Sequence, residues 1–128
     1  MILMTYEEIV DKVRSVYENA DARDIFEHIA VQVNVVGEGE GIFYLEIADR
    51  HISVEPYDYY DRDGLIIISA DTIFDIADGK MTFHDAYHSG VLQCYGNMDK
   101  MRKLQKIVFG PRVTRRKTVK KIDAFLDE

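Results

Sequence analysis

From Ile9 onward the apolar positions recur at helical spacing. Ile9, Val13, Val16 and Tyr17 share one face, which predicts an amphipathic helix ending near Asn19. Thr5-Tyr6-Glu7-Glu8 precedes it in the form of a capping box, with Thr5 as N-cap and Glu8 at N3. Asp21 to Glu27 predicts a turn or short helix, and then the period drops to two. Val31, Val33 and Val35 alternate with Gln32 and Asn34, and Phe43, Leu45 and Ile47 oppose Tyr44 and Glu46. Gly37-Glu38-Gly39-Glu40-Gly41 separates these runs as a hairpin loop. Asp49-Arg50 turns the chain into a third strand with Ile52 and Val54 inward. Pro56 ends it, because proline cannot donate to a ladder. Three short alternating strands with brief links predict an antiparallel meander with one covered face.

The second half is written differently. Tyr57 to Asp63 is an acidic, tyrosine-rich loop; Tyr57, Tyr59 and Tyr60 could gate an entrance or contact a partner, but a solvated loop is expected. Leu65-Ile66-Ile67-Ile68 is continuously apolar and predicts a buried strand. Asp71 then caps a helix through Ala77, with Gly79 as its stop. Thr82 starts a short helix to His88, ended by Gly90. Val91 to Tyr95 predicts a strand stopped by Gly96, and Asn97 caps a helix to Phe109. Gly110-Pro111 breaks that helix. Thr114 to Leu126 predicts a last amphipathic helix on Val119, Ile122, Phe125 and Leu126.

Length and composition narrow the class. At 128 residues the chain fits one domain over 1–128 and can bury about two-thirds of its unfolded surface without staples. Cys94 is the one cysteine, so no intrachain disulfide forms and nothing points to an oxidising compartment. Four apolar residues at the start, without a basic leader, are too few for a signal peptide. No apolar run approaches the ~18 residues that span a bilayer, and a cytoplasmic protein is expected. The net charge of −7 is unevenly placed: residues 1–99 carry 6 basic and 20 acidic side chains, while 100–121 carry 10 basic and none acidic.

Little in the chain reads as catalysis, and no enzyme, cofactor or metal is expected. His84 and His88 lie at i, i+4 in His84-Asp85-Ala86-Tyr87-His88, a spacing that zinc sites use. An aspartate stands where such a motif needs its glutamate base, and no third ligand is evident, so both read as surface histidines beside a cavity rim. Cys94 shares a strand face with Leu92 and reads as a buried, inert thiol. The Glu38–Gly41 stretch is glycine-rich but acidic, and would repel phosphate.

The block from Asp63 to Leu104 resembles the sterol carrier protein 2 family. The resemblance rests on Leu65-Ile66-Ile67-Ile68-Ser69-Ala70-Asp71, then Ile76-Ala77-Asp78-Gly79-Lys80-Met81, Ala86-Tyr87, Ser89-Gly90-Val91-Leu92 and Gly96-Asn97-Met98, in that order. Two departures stand out: Asp49-Arg50 where the family often has Asp-Gly, and Thr82 where a proline is usual.

That resemblance implies an α+β fold: a sheet of about five strands, largely antiparallel, covered on one face by helices, with an apolar cavity between. The implied function is non-catalytic binding or transfer of a lipid-like ligand such as a fatty acid, acyl-CoA or sterol. Phe74, Met81, Phe83, Tyr87, Leu104, Phe109, Ile122 and Phe125 are the apolar residues on the covering helices, and mark the expected cavity lining. The alternative is an interaction or regulatory domain of the same fold whose cavity is filled by side chains. The basic stretch from Lys100 offers a docking surface for anionic lipid head groups or CoA phosphates, through Arg115, Arg116, Lys117, Lys120 and Lys121. The favoured reading is that these charges simply offset the acidic remainder. Nucleic acid is not expected, because residues 1–99 are strongly acidic. The oligomeric state is left open.

Overall fold

The computed structural model describes residues 4–57 and 61–109. The helix expected over Thr114 to Leu126 lies outside them, with Ile122, Phe125, Arg115, Arg116, Lys117, Lys120 and Lys121. So do Tyr59 and Tyr60.

The capping box forms as written. Glu8 N–H donates to Thr5 Oγ1 at 3.2 Å and Thr5 N–H donates to Glu8 Oε1 at 2.9 Å, so two orphan donors are satisfied at the start of α1 (Tyr6–Tyr17). This helix buries Ile9, Val10, Val13 and Tyr17.

Strands β1 (Ile29–Val36), β2 (Gly41–Ala48) and β3 (His51–Glu55) form the expected antiparallel meander. Asp49 and Arg50 both take positive φ, 51° and 65°, as a tight primed turn requires even without glycine. The Arg50 guanidinium lies 5.2 Å from the Phe26 ring centre, a cation–π contact that offsets part of that strain.

Both edges of β2 are then occupied, and β4 (Gly64–Ser69) takes the free edge of β1 in parallel register, Val31 opposite Gly64. The last strand among the described residues, β5 (Leu92–Gly96), pairs antiparallel with β4. The sheet order is β3-β2-β1-β4-β5: mixed, with one parallel joint in an otherwise antiparallel array.

Val31, Val33, Phe43, Leu45, Ile66 and Ile68 point to the helical side and form the core. On the opposite face Gln32 neighbours Tyr44 and Leu65, and Leu65 neighbours Tyr95. Leu65 and Ile67 are only half-buried there, so among the described residues β4 is covered on one face, not two. A continuous apolar run does not separate these cases: Leu65 and Ile67 obtain partial cover from their neighbours on the sheet.

β4 runs directly into α2 (Ala70–Ala77). Ser69, not Asp71, is the N-cap: its hydroxyl accepts from Thr72 N–H at 3.3 Å. Asp71 falls in the first turn, where a negative charge suits the helix dipole. Thr82 caps α3 (Phe83–Ser89), and Gly90, in the left-handed region, ends it.

Asn97 caps α4 (Met98–Arg102), which tightens into a 3₁₀ turn over Lys103–Lys106 and stops short of the expected Phe109. The cause is a long-range pairing: Asp21 N–H donates to Val108 O at 2.8 Å and Val108 N–H to Asp21 O at 2.9 Å. That exchange pulls the chain into extended backbone before Gly110-Pro111.

Candidate functional site

Among the described residues, two spaces between sheet and helices stand out. Beneath α1 and α2 the core is nearly full. About 30 Å³ remains among Val13, Tyr17, Val33, Phe43 and Ile73, room for about one water. Beside β4 and β5 the helices stand further off and leave a groove of about 480 Å³, within the range of small-molecule sites. Its floor is Ile66, Leu92 and Cys94, which the pleat of β4 and β5 turns to the helical side. Phe83 and Tyr87 of α3 form one wall; Met98 and Met101 of α4 and Leu104 of the 3₁₀ turn form the other. The rim is polar, with His84, His88, Arg102 and Gln105.

The wall carrying Met98 and Met101 is pinned to the body by two lysines. Lys100 Nζ donates to Asp63 Oδ1 at 3.1 Å and to His28 O at 2.9 Å, and Lys103 pairs with Glu27. Asp63 also accepts from Ala30 N–H at 2.9 Å, and its own backbone carbonyl accepts from Asn97 N–H at 2.9 Å. Burial opposes charge on Asp63, but the Ala30 N–H and the Lys100 ammonium outweigh it and hold the carboxyl below its usual range.

Of the residues expected to line a cavity, Phe83, Tyr87 and Leu104 meet in this groove. Phe74 lies elsewhere, on the core edge near Met4 and Gly37, with Lys12 Nζ 4.3 Å from its ring centre. Met81 is half-buried against the core. Phe109 packs edge-on against Tyr17, ring centres 5.1 Å apart. Ile122 and Phe125 lie outside the described residues.

Met98 and Met101, a pair spaced i, i+3 behind the Asn97 cap, are not among the residues expected to line a cavity, although Met98 belongs to the Gly96-Asn97-Met98 turn. Their spacing was the available signal. Cys94 is half-buried on the groove floor instead of fully buried, and burial pushes its thiol pKa up, away from the reactive thiolate.

His84 and His88 do sit beside a rim, their ring centres 4.2 Å apart. Neither ring hydrogen-bonds to a carboxylate among the described residues. Nor, among those residues, does any group of three His, Cys, Asp or Glu side chains stand where it can hold a metal ion. The same residues contain no helix long and apolar enough to cross a membrane.

Comparison with known proteins agrees with this architecture. Among curated proteins, none matches the sequence. Among solved structures the chain resembles the ubiquinone synthesis protein UbiJ-SCP2, with a TM-score of 0.58 and 17% identity over 79% of this chain and 90% of that one. It is similar to palmitated SCP2L2 from Aedes aegypti, with a TM-score of 0.52 and 15% identity, covering 80% of this chain and 93% of the other. It also resembles part of a stereoselective inverting sec-alkylsulfatase from Pseudomonas sp., with a TM-score of 0.56 and 13% identity over 66% of this chain. Only 13% of the sulfatase's length is spanned. At such identities the likeness is one of fold. The profile of the SCP-2 sterol transfer family matches residues 11–109, and the chain belongs to that family.

Proposed function

We propose that the chain, acting as a single domain, binds a lipid-like apolar ligand without transforming it, in the groove between α3, α4 and β5. The groove itself carries the reading: about 480 Å³ with an apolar floor and walls, in a chain of the SCP-2 family. The palmitate borne by the Aedes aegypti relative supports the same ligand class. Phe83, Tyr87 and Leu104 line the site in this proposal, joined by Met98 and Met101.

Burying ~12 methylenes yields roughly 10 kcal/mol gross at about 0.8 kcal/mol each. Association and ordering costs remove much of that and leave micromolar binding without a dedicated polar anchor. Catalysis is not part of the proposal, because a general base needs an orienting partner and neither groove histidine has a carboxylate one among the described residues. A cytoplasmic setting rests on the lone cysteine. The basic residues Arg115, Arg116, Lys117, Lys120 and Lys121 would dock the protein on anionic lipid. Co-sedimentation with anionic vesicles at low salt, compared with neutral ones, tests that.

The binding test uses a fluorescent fatty-acid analogue, expected to brighten on mixing and to be displaced by unlabelled lipid. Cys94→Phe, which fills the groove floor, should abolish the signal while the circular dichroism spectrum stays unchanged. The second reading, an interaction domain with a filled interior, draws on the nearly full space beneath α1. It prevails if no fatty-acid, acyl-CoA or sterol probe binds at tens of micromolar.

A further inference from the structure

The groove is chemically lopsided. Residues 1–99 carry 20 carboxylates against 6 basic side chains, yet among the described residues no Asp or Glu lines the groove. Its polar members are His84 and His88 from α3, Arg102 from α4 and Gln105 from the 3₁₀ turn, and each can donate hydrogen bonds. They stand on opposite walls above an apolar floor. In a chain this acidic, a pocket lining without a carboxylate stands out, although Asp99 just outside it pairs with the rim guanidinium.

We infer that this rim is an anion-binding subsite, in which Arg102, His84 and His88 hold the negatively charged head of a single-chain amphiphile whose tail lies on Ile66, Leu92 and Met101. The inference rests on the groove being the ligand site, and adds the chemistry of the head. Arg102 is already paired: its Nη1 donates to Asp99 at 2.9 Å, both side chains largely exposed, at 66% and 89%. An exposed i, i+3 pair of this kind is weak and screened. The guanidinium keeps further N–H groups for a carboxylate or sulfate, whose planar or trigonal oxygens it meets in bidentate fashion. The neighbouring imidazoles of His84 and His88, ring centres 4.2 Å apart and planes inclined at 47°, supply donors from the other wall. A sterol, with one uncharged hydroxyl, would leave this set largely unused.

Calorimetry with four ligands of one tail length tests the inference on the full chain: decanoate, decyl sulfate, decanol and decyltrimethylammonium, each below its micellar concentration. Both anions are expected to bind about tenfold or more tighter than decanol, and the cation weakest. In Arg102→Gln, and further in His84→Gln with His88→Gln, the ratio of anion to alcohol affinity should fall towards one, whereas Arg102→Lys retains most of it. Preference for decyl sulfate over decanoate would assign the head as a sulfate, and the reverse as a carboxylate. If decanol matches the anions in the unmodified protein, or the ratio survives all the substitutions, the subsite is overturned while the groove stands. If none of the four binds, groove and subsite fall together.

Discussion

Glu18 accepts a 2.7 Å hydrogen bond from the backbone N–H of Val54, in edge strand β3. Arg14, one turn earlier on α1, donates to the Val54 carbonyl through Nε and an Nη, both at 3.1 Å. The outward-facing peptide groups of the edge are thus answered by a charged pair from the covering helix, which blunts a surface that otherwise templates strand addition. Replacing both by alanine should cost about 1–2 kcal/mol, allowing for their partial exposure, and should raise self-association. Urea unfolding with sedimentation velocity over a range of concentrations measures both. An unchanged midpoint and an unchanged average mass would mean that the pair protects nothing.

Tyr17 ends α1 inside the core, and its hydroxyl donates to Ile73 O of α2 at 2.8 Å. Burial raises its pKa well above the ordinary 10.0, and the nearby Asp78 carboxylate adds to the shift. The folded state therefore keeps the proton that the unfolded chain gives up. This stabilisation is fully present below pH 10 and is lost as pH rises above it. Tyr17→Phe should cost roughly 1 kcal/mol at neutral pH and flatten the alkaline decline. Thermal melts from pH 8 upward on both proteins test the slope, and parallel declines would exonerate Tyr17.

Asp63 behaves in the opposite sense. Its folded pKa lies below the ordinary 3.8, so its contribution is present above pH ~4 and is lost as pH falls through the folded value. Asp63→Asn should remove charge-assisted bonds to Ala30 and Lys100, cost about 1–3 kcal/mol at neutral pH, and weaken the acid dependence of stability. Because Lys100 pins α4, amide exchange should also quicken at Met98 and Met101, on the groove wall. Exchange confined to global unfolding would separate the stability of the clasp from control of the groove.

Local chemistry was legible wherever it depends on neighbours in sequence. Thr5 with Glu8, Thr82, Gly90 and Asn97 cap as their spacing says, and the period-two runs around Val33 and Leu45 form the meander. One misplaced boundary has a distant cause and one a local one. Val108 leaves the helical path because Asp21, far back in the chain, exchanges two hydrogen bonds with it. Ser69 displaces Asp71 as a cap because β4 continues into α2 without a loop. Phe83, Tyr87 and Leu104 meet because α3 and the 3₁₀ turn close over β5, an event that no spacing within either segment encodes. Met98 and Met101 were passed over for a related reason: only the partner wall turns their side of α4 into a lining.

Gly96 gives the sharpest test of how β5 is seated. A Cβ there would lie 2.5 Å from Asp63 O and 2.7 Å from Gly64 Cα, and φ is +111°. Both obstacles are backbone, so no rotamer change relieves them, and the strand must move away from β4. Gly90 also has positive φ, +86°, but a Cβ there meets nothing within 4 Å. The two sites therefore share conformational strain and differ in close approach. Gly90→Ala should cost about 1–2 kcal/mol, the penalty of a left-handed alanine. Gly96→Ala should cost roughly 3 kcal/mol or more, because backbone collision adds to the same penalty. Because Leu92 and Cys94 ride on β5, the shift should also distort the groove floor and weaken binding of a fatty-acid probe, whereas Gly90→Ala should bind normally. Denaturant midpoints and probe titrations on both variants decide it: equal losses at the two glycines would show that the close packing of β5 on β4 is not what holds the floor in place.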